Sequence, residues 1–100
     1  MANGIIVPNN ARLNGTTNNN HITWEQSGNT VLVSVFGVSM TNGQAITITG
    51  LPKPKNEAYV RAPLYFSSGS LTGYMQYYEG EWKITPIATD YAYSSFTYIV

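Results

Sequence analysis

A single histidine, His21, and a single aspartate, Asp90, limit the nucleophilic catalysis open to this chain. A catalytic serine needs an imidazole to take its proton and a carboxylate to orient that imidazole. Any such arrangement here would have to recruit both residues. No serine sits in a Gly-x-Ser-x-Gly elbow, and His21 opens an alternating segment where a solvated or hydrogen-bonded side chain is the simpler reading. The remaining carboxylates are Glu25, Glu57, Glu79 and Glu81. Glycoside hydrolysis requires two carboxyl groups facing each other across a cleft, about 5–9.5 Å apart. Glu79 and Glu81 instead flank a turn, where charges are ordinarily solvated. Cysteine is absent and no acidic spacing resembles a calcium loop, so the chain offers no evident metal ligands. No glycine-rich loop precedes a helical pattern, so no phosphate cradle is expected. The chain is therefore read as non-enzymatic, without catalytic residues, metal or cofactor.

What remains is binding chemistry. Eight tyrosines and two tryptophans in 100 residues make a heavy aromatic load. Aromatic faces stack on the apolar faces of sugar rings, while Asn, Asp, Glu or Arg nearby hydrogen-bond the hydroxyls. The same residues are enriched at protein interfaces, being apolar with one polar handle. The segment "ATDYAYSSF" places Asp90, Tyr91 and Tyr93 between two expected strands, where binding residues commonly sit on loops of a rigid scaffold. The plainer alternative is that these tyrosines cover a hairpin. Arg61 is a second candidate, its plainer alternative being a charge pair with Glu57 or Asp90 across a subunit boundary. Trp82 completes the candidate set, its alternatives being core or interface, and the same structural reading applies more strongly to Trp24.

Composition narrows the partners. The net charge is zero and charged residues make up 10% of the chain, against about 25% in an average globular protein. Nucleic-acid binding needs clustered lysine and arginine to displace counterions, so it is not expected. No apolar run approaches the roughly 20 residues of a membrane span, and "MANGIIVPNN" lacks the basic and apolar regions of a secretory signal. A small domain without disulfides needs another source of stability, and oligomerisation is the common one.

The elements that must position these side chains are strands. Residues 1–20 read as an extended arm or linker: a short apolar run at Ile5, Ile6 and Val7, a strand or interface peg, then the polar, turn-rich "PNNARLNGTTNNN". Residues 21–100 read as one β domain. "HITWEQ" alternates, "SGN" turns, and "TVLVSVFGVSM" is a long strand with Val31, Val33 and Val35 on one face and Leu32, Phe36, Val38 and Met40 on the other, a pattern of burial on both sides. Asn42-Gly43 signals a hairpin returning through "QAITITG". "EAYVRAPLYF" is a strand that Pro63 assigns to an edge or a bulge. "LTGYMQYY" and "EWKITPIA" form a hairpin around Glu79-Gly80, and "YSSFTYIV" is the last strand. With no sustained helical period, about seven or eight short antiparallel strands predict an all-β sandwich or jelly-roll-like barrel.

Between these strands lies "GLPKPKNEAYVRAP", dense in proline and basic charge. Proline fixes φ and extends the residue before it, so Leu51–Lys55 is expected to be a stiff crossover between sheets, its lysines keeping the rim solvated and blocking edge pairing. The order of a Trp-bearing strand, "SGNTVLVSVFGVS", "ITGLPKPKNEAYVRAPLYF", a Tyr-rich hairpin around "YYEGEWKITP" and a terminal "SSFTYIV" resembles the C-terminal head domain of tail-fibre and receptor-binding proteins from phages and prophages of Gram-positive bacteria. Its most specific elements are "SGNTV", "GLPKP" and "TYIV", which are scaffold features. The resemblance implies a homotrimer of jelly-roll-like heads at a virion tail tip, exposed to the medium and attaching to a host cell-surface saccharide. It also implies docking to other tail or baseplate proteins through a region not in this chain. A trimerising cap or spacer without its own ligand is the alternative. Depolymerase activity would need a carboxylate pair that the sequence does not display.

Overall fold

The structure, a computed structural model, describes residues 12–100. The expectations for Ile5, Ile6, Val7 and the first polar residues of the arm lie outside the described residues. Within them the chain forms eight strands: β1 (Arg12–Thr16), β2 (Ile22–Ser27), β3 (Thr30–Met40), β4 (Ile46–Ile48), β5 (Val60–Tyr65), β6 (Leu71–Tyr78), β7 (Glu81–Pro86) and β8 (Asp90–Ile99). A 3₁₀ turn at Lys55–Glu57 precedes β5. The strands make one antiparallel sheet in the order β1-β2-β3-β8-β5-β6-β7-β4. The expected all-β class therefore holds, as a curled half-barrel. Arg12–Thr16, expected within the turn-rich arm, instead pairs along its whole length with β2.

The curl follows from a weak seam. β5 and β8 are joined by a single residue pair, Tyr65 with Tyr93. Pro63 is one cause: it has no N–H to donate toward β8, and its carbonyl accepts the Ser94 hydroxyl at 2.9 Å instead. Pro63 thus marks an interrupted ladder inside the sheet, next to a register shift at Leu64/Tyr65. The two four-stranded halves fold toward each other about this seam.

Their concave faces meet in one core that includes Ile22, Val31, Val33, Leu64, Met75 and Ile84. The expectation that β3 is buried on both faces is corrected here. A bulge between Phe36 and Val38 shifts the register against β8. Gly37 supplies it with φ of 75°, a conformation that costs a side-chain-bearing residue dearly. The extra residue returns Val38 and Met40 to the face of Val31, Val33 and Val35, and all five are buried while Leu32 and Phe36 are exposed.

One further correction concerns a turn. Gln44 N–H bonds the Thr41 carbonyl at 3.0 Å, but only Gly43 has positive φ. That is the pattern of a type II turn, not the type I′ that closes hairpins. β3 and β4 accordingly separate, and β4 pairs with β7 at the far edge. Glu79-Gly80, with φ of 50° and 85°, does form the tight turn joining β6 and β7.

The crossover from β4 to β5 behaves as its prolines dictate. Pro54 is extended at φ −61° and ψ 151°. The Pro52 carbonyl accepts two hydrogen bonds, from Tyr98 Oη at 2.6 Å and Trp82 Nε1 at 3.3 Å. Tyr98 belongs to one half of the sheet and Trp82 to the other, so one carbonyl ties both. A second tie is made by Asn18, whose backbone and side chain make three bonds of 3.0–3.1 Å to Thr47 in β4 and Thr49 just after it. Gly50 permits that approach: a Cβ there would stand 3.2 Å from Thr16 O and Thr17 Cα.

Replacing Trp82 with Ala should cost about 3–5 kcal/mol, as for large aromatic truncations in a core. Tyr98→Phe removes one bond and should cost about 1 kcal/mol. Urea unfolding of the two variants checks the order. Stability should also fall in alkali. The Glu57 hydrogen bond raises the Tyr77 pKa and burial raises that of Tyr98, both from 10.0. The stabilisation from the two neutral phenols is complete below pH 10.0 and is lost as pH climbs through their raised folded values. A pH series of unfolding midpoints with a flat neutral region and a decline beginning near pH 10 is the expected result.

Candidate functional site: an aromatic depression on the outer face

The outward positions of β5, β6 and β7 form a regular grid because alternate residues of a strand share a face. The registers place Arg61 beside Gln76, Gln76 beside Lys83, and Lys83 beside Thr47. The next row holds Tyr78 and Glu81, with Tyr59 entering β5 beside Tyr78. On the other side Pro63, Tyr74 and Thr85 align.

Tyr59, Gln76 and Tyr78 line a depression of about 320 Å³. It continues through the shared Gln76 and Tyr78 into a smaller hollow of about 130 Å³, completed by Glu79, Glu81 and Lys83. Tyr59 and Tyr78 stand edge to face, centroids 5.8 Å apart at 90°, and each is 57% exposed. The Tyr59 hydroxyl reaches Gln76 Oε1 at 3.4 Å, and Lys83 pairs with Glu81 at 3.0 Å. The arrangement offers two apolar ring surfaces at a right angle above a floor of amide, ammonium and carboxylate groups. Rings of that kind accept the flat apolar side of a cyclic ligand, and the floor can donate to and accept from its hydroxyls.

Of the sequence-predicted residues, Arg61 belongs to this face. Its guanidinium carbon lies 3.8 Å from the Tyr74 ring centroid, a cation–π contact. Glu57 accepts the Tyr77 hydroxyl at 2.6 Å. Tyr91 and Tyr93 lie elsewhere, on the outer face of β8, where Tyr93 meets Phe36 edge to face at 5.6 Å. Asp90, expected on a loop, opens β8, and its Oδ1 accepts the Tyr91 N–H at 2.8 Å. Trp82 requires correction as a ligand platform. It is 3% exposed, packed among Tyr77, Phe96 and Tyr98, and its indole N–H is used on Pro52. Even-numbered Trp82 faces inward between outward Glu81 and Lys83, so alternation sends it to the core.

The depression's own residues, Tyr59, Gln76 and Tyr78, were not singled out from sequence. Their signal was present: "YVR" and "YMQYY" set Tyr59, Arg61, Tyr74, Gln76 and Tyr78 at outward alternation on two strands. Only the register shows that these positions are neighbours.

A third depression, of about 290 Å³, lies on β1–β3 and is lined by Asn14, Thr16, Thr23, Glu25, Leu32 and Ser34, among others. Its one aromatic, Trp24, packs against the core, with its indole N–H buried and unpartnered. Among the described residues no group of three His, Cys, Asp or Glu could hold a metal ion. No protein-family model, curated protein or solved structure matches this chain.

Because Tyr59 and Tyr78 are so exposed, replacing either with Ala should lower stability by less than about 1 kcal/mol. Thermal or urea unfolding checks this. A larger loss would mean that the rings hold the sheet together.

Proposed function

We propose that this chain is a non-enzymatic module that binds a cell-surface saccharide through the Tyr59–Gln76–Tyr78 depression. The observation that carries the reading is the exposed perpendicular tyrosine pair set over a polar row. These rings contribute little to the core, so their placement makes sense as contact surface. The carboxylates support the non-enzymatic reading. Glu25 pairs with Arg12, Glu57 with Tyr77, Glu81 with Lys83 and Asp90 with the Tyr91 N–H. Four of five are thus committed to local partners, where glycoside hydrolysis asks for two facing a cleft.

The sequence resemblance extends the proposal to context: a homotrimeric receptor-binding head of a phage tail fibre, exposed at the tail tip, attached to other tail or baseplate proteins through a region outside this chain. In that setting weak sites gain from repetition, because linked sites raise the effective concentration of each next encounter. A second reading, a trimerising cap or spacer without its own ligand, is favoured by a row of exposed apolar side chains on β3 and β8.

Host wall polysaccharide immobilised on a sensor should bind the chain saturably. Tyr59→Ala and Tyr78→Ala should each weaken binding about tenfold, the equivalent of roughly 1.4 kcal/mol for one stacked ring, and Arg61→Ala should weaken it to a similar or smaller degree. Binding unchanged in the double tyrosine variant would remove the depression as the site. Failure of the wild type to bind any wall glycan would favour the cap or spacer.

A further inference from the structure

Three glycines in the sequence follow an asparagine, at Asn3-Gly4, Asn14-Gly15 and Asn42-Gly43. The first pair lies outside the described residues. The other two set the same dipeptide in contrasting surroundings, and the contrast decides the fate of the asparagine side chain.

Asn14-Gly15 sits in β1, paired residue for residue with β2. The Thr17 N–H donates to the Ile22 carbonyl at 3.1 Å. Hydrogen-bonded pairs alternate along an antiparallel ladder. The next such pair is therefore Gly15 with Trp24, and the Gly15 nitrogen is turned toward β2. A Cβ on Gly15 would stand 2.7 Å from the Trp24 indole, so the chain is closely packed there.

Asn42-Gly43 lies just past β3, in the turn closed by the Gln44 N–H on the Thr41 carbonyl at 3.0 Å. Both residues are exposed. Among the described residues the Gly43 N–H has no acceptor and the Asn42 side-chain amide has no partner. The Asn42 backbone N–H donates to Thr89 Oγ1 at 3.0 Å, which anchors the turn without engaging either group. A Cβ on Gly43 would meet nothing within 4 Å.

We propose that Asn42 is a site of spontaneous covalent modification, converted to aspartate and isoaspartate by the backbone nitrogen of Gly43. That nitrogen attacks the Asn42 side-chain carbonyl carbon, Cγ. A C–N bond forms, the Gly43 N–H proton passes to the departing amide nitrogen, and ammonia leaves behind a cyclic imide. Water then opens the ring. Addition at Cγ restores the main chain with an aspartate. Addition at the main-chain carbonyl leaves an isoaspartate, whose backbone runs through the side-chain carbon. Nothing is oxidised or reduced, and water is the only co-reactant.

Glycine favours the attack because it has no side chain to shield the nitrogen and rotates freely about φ. The same step at Asn14 must first draw the Gly15 nitrogen out of the β1–β2 ladder. Local opening that costs about 1.4 kcal/mol slows a reaction about tenfold.

The product alters the surface. Met40 pairs with Asp90 and Asn42 reaches Thr89, so the new carboxylate arises near Asp90 at the start of β8. Neither residues 41–45 nor residues 88–90 include a lysine or arginine to offset it. The chain, neutral as encoded, gains a negative charge. The inference is independent of the saccharide.

The test is a timed incubation of the purified chain in warm, mildly alkaline buffer, both native and in urea, followed by cleavage after arginine and glutamate. Arg12 and Glu25 separate the three Asn-Gly pairs onto different peptides, and fragmentation in the mass spectrometer locates the change. In the native chain Asn42 should gain the mass of a hydroxyl in place of an amino group and appear in two chromatographic forms. One of them, the isoaspartate, should accept a methyl group from protein isoaspartate methyltransferase. Asn14 should convert about tenfold more slowly, or less. In urea the two rates should converge, since the fold then no longer distinguishes them. Asn42→Gln should leave its peptide unmodified. An Asn42 that stays intact in the native chain while it converts in urea overturns the inference. So do equal native rates at Asn14 and Asn42, or a mass gain that persists in the Asn42→Gln peptide.

Discussion

One backbone carbonyl, that of Pro52, organises the molecule. It accepts the Tyr98 hydroxyl and the Trp82 indole N–H, and those two side chains stand on opposite halves of the sheet. Both rings are buried with centroids 4.9 Å apart, so each must satisfy its polar atom inside the core or lose the benefit of burial. A helix or a paired strand at Pro52 would have used that carbonyl internally. The prolines prevent both, and the extended crossover presents the oxygen where the two donors converge. The dense "LPKPK" stretch is thus a core-closing device. Its basic residues are exposed while Leu51 and Pro54 are buried.

With the halves tied there, at the Tyr65–Tyr93 seam and at the Asn18 clasp on β4, the concave side is filled. Every remaining outward side chain is free to serve something other than stability. The two halves use that freedom differently. β5, β6 and β7 carry aromatic rings mixed with charge, a combination suited to a hydroxylated ligand. β3 and β8 carry aromatic and aliphatic groups with hydroxyls and almost no charge, a combination suited to a protein surface. The low charge content of the chain is therefore uneven, concentrated away from one face.

Much of the fold was legible because period-two alternation and turn chemistry are local. Ile22 and Trp24, Ile46 and Ile48, and Ala62 and Leu64 all point as their alternation requires, and Glu79-Gly80 turns as such a pair should. The misses share a cause: each depends on a partner strand. The bulge at Gly37 inverts the apparent facing of Val38 and Met40, and a lone glycine in a strand signals such a bulge only when its partner is known. Asn42-Gly43 marked a turn correctly, but the strand after it belonged to β7. The candidate site was less legible than the fold. Arg61 lies on the outer face of β5, β6 and β7, while Tyr91 and Tyr93 lie on the outer face of β8 and Trp82 is in the core. Aromatic content alone does not distinguish a ring that packs, a ring that associates and a ring that binds. The distinction lies in which neighbours the register supplies.

The central claim is that the outer face of β5, β6 and β7 is the ligand face. Amide chemical-shift mapping of the isotopically labelled chain, titrated with fragments of host wall polysaccharide, tests it most directly. The account predicts shifts concentrated at Tyr59, Arg61, Gln76, Tyr78 and Lys83, with Phe36 and Tyr93 unmoved. Shifts centred on Phe36 and Tyr93, or on the Thr16–Thr23–Ser34 depression, would contradict it.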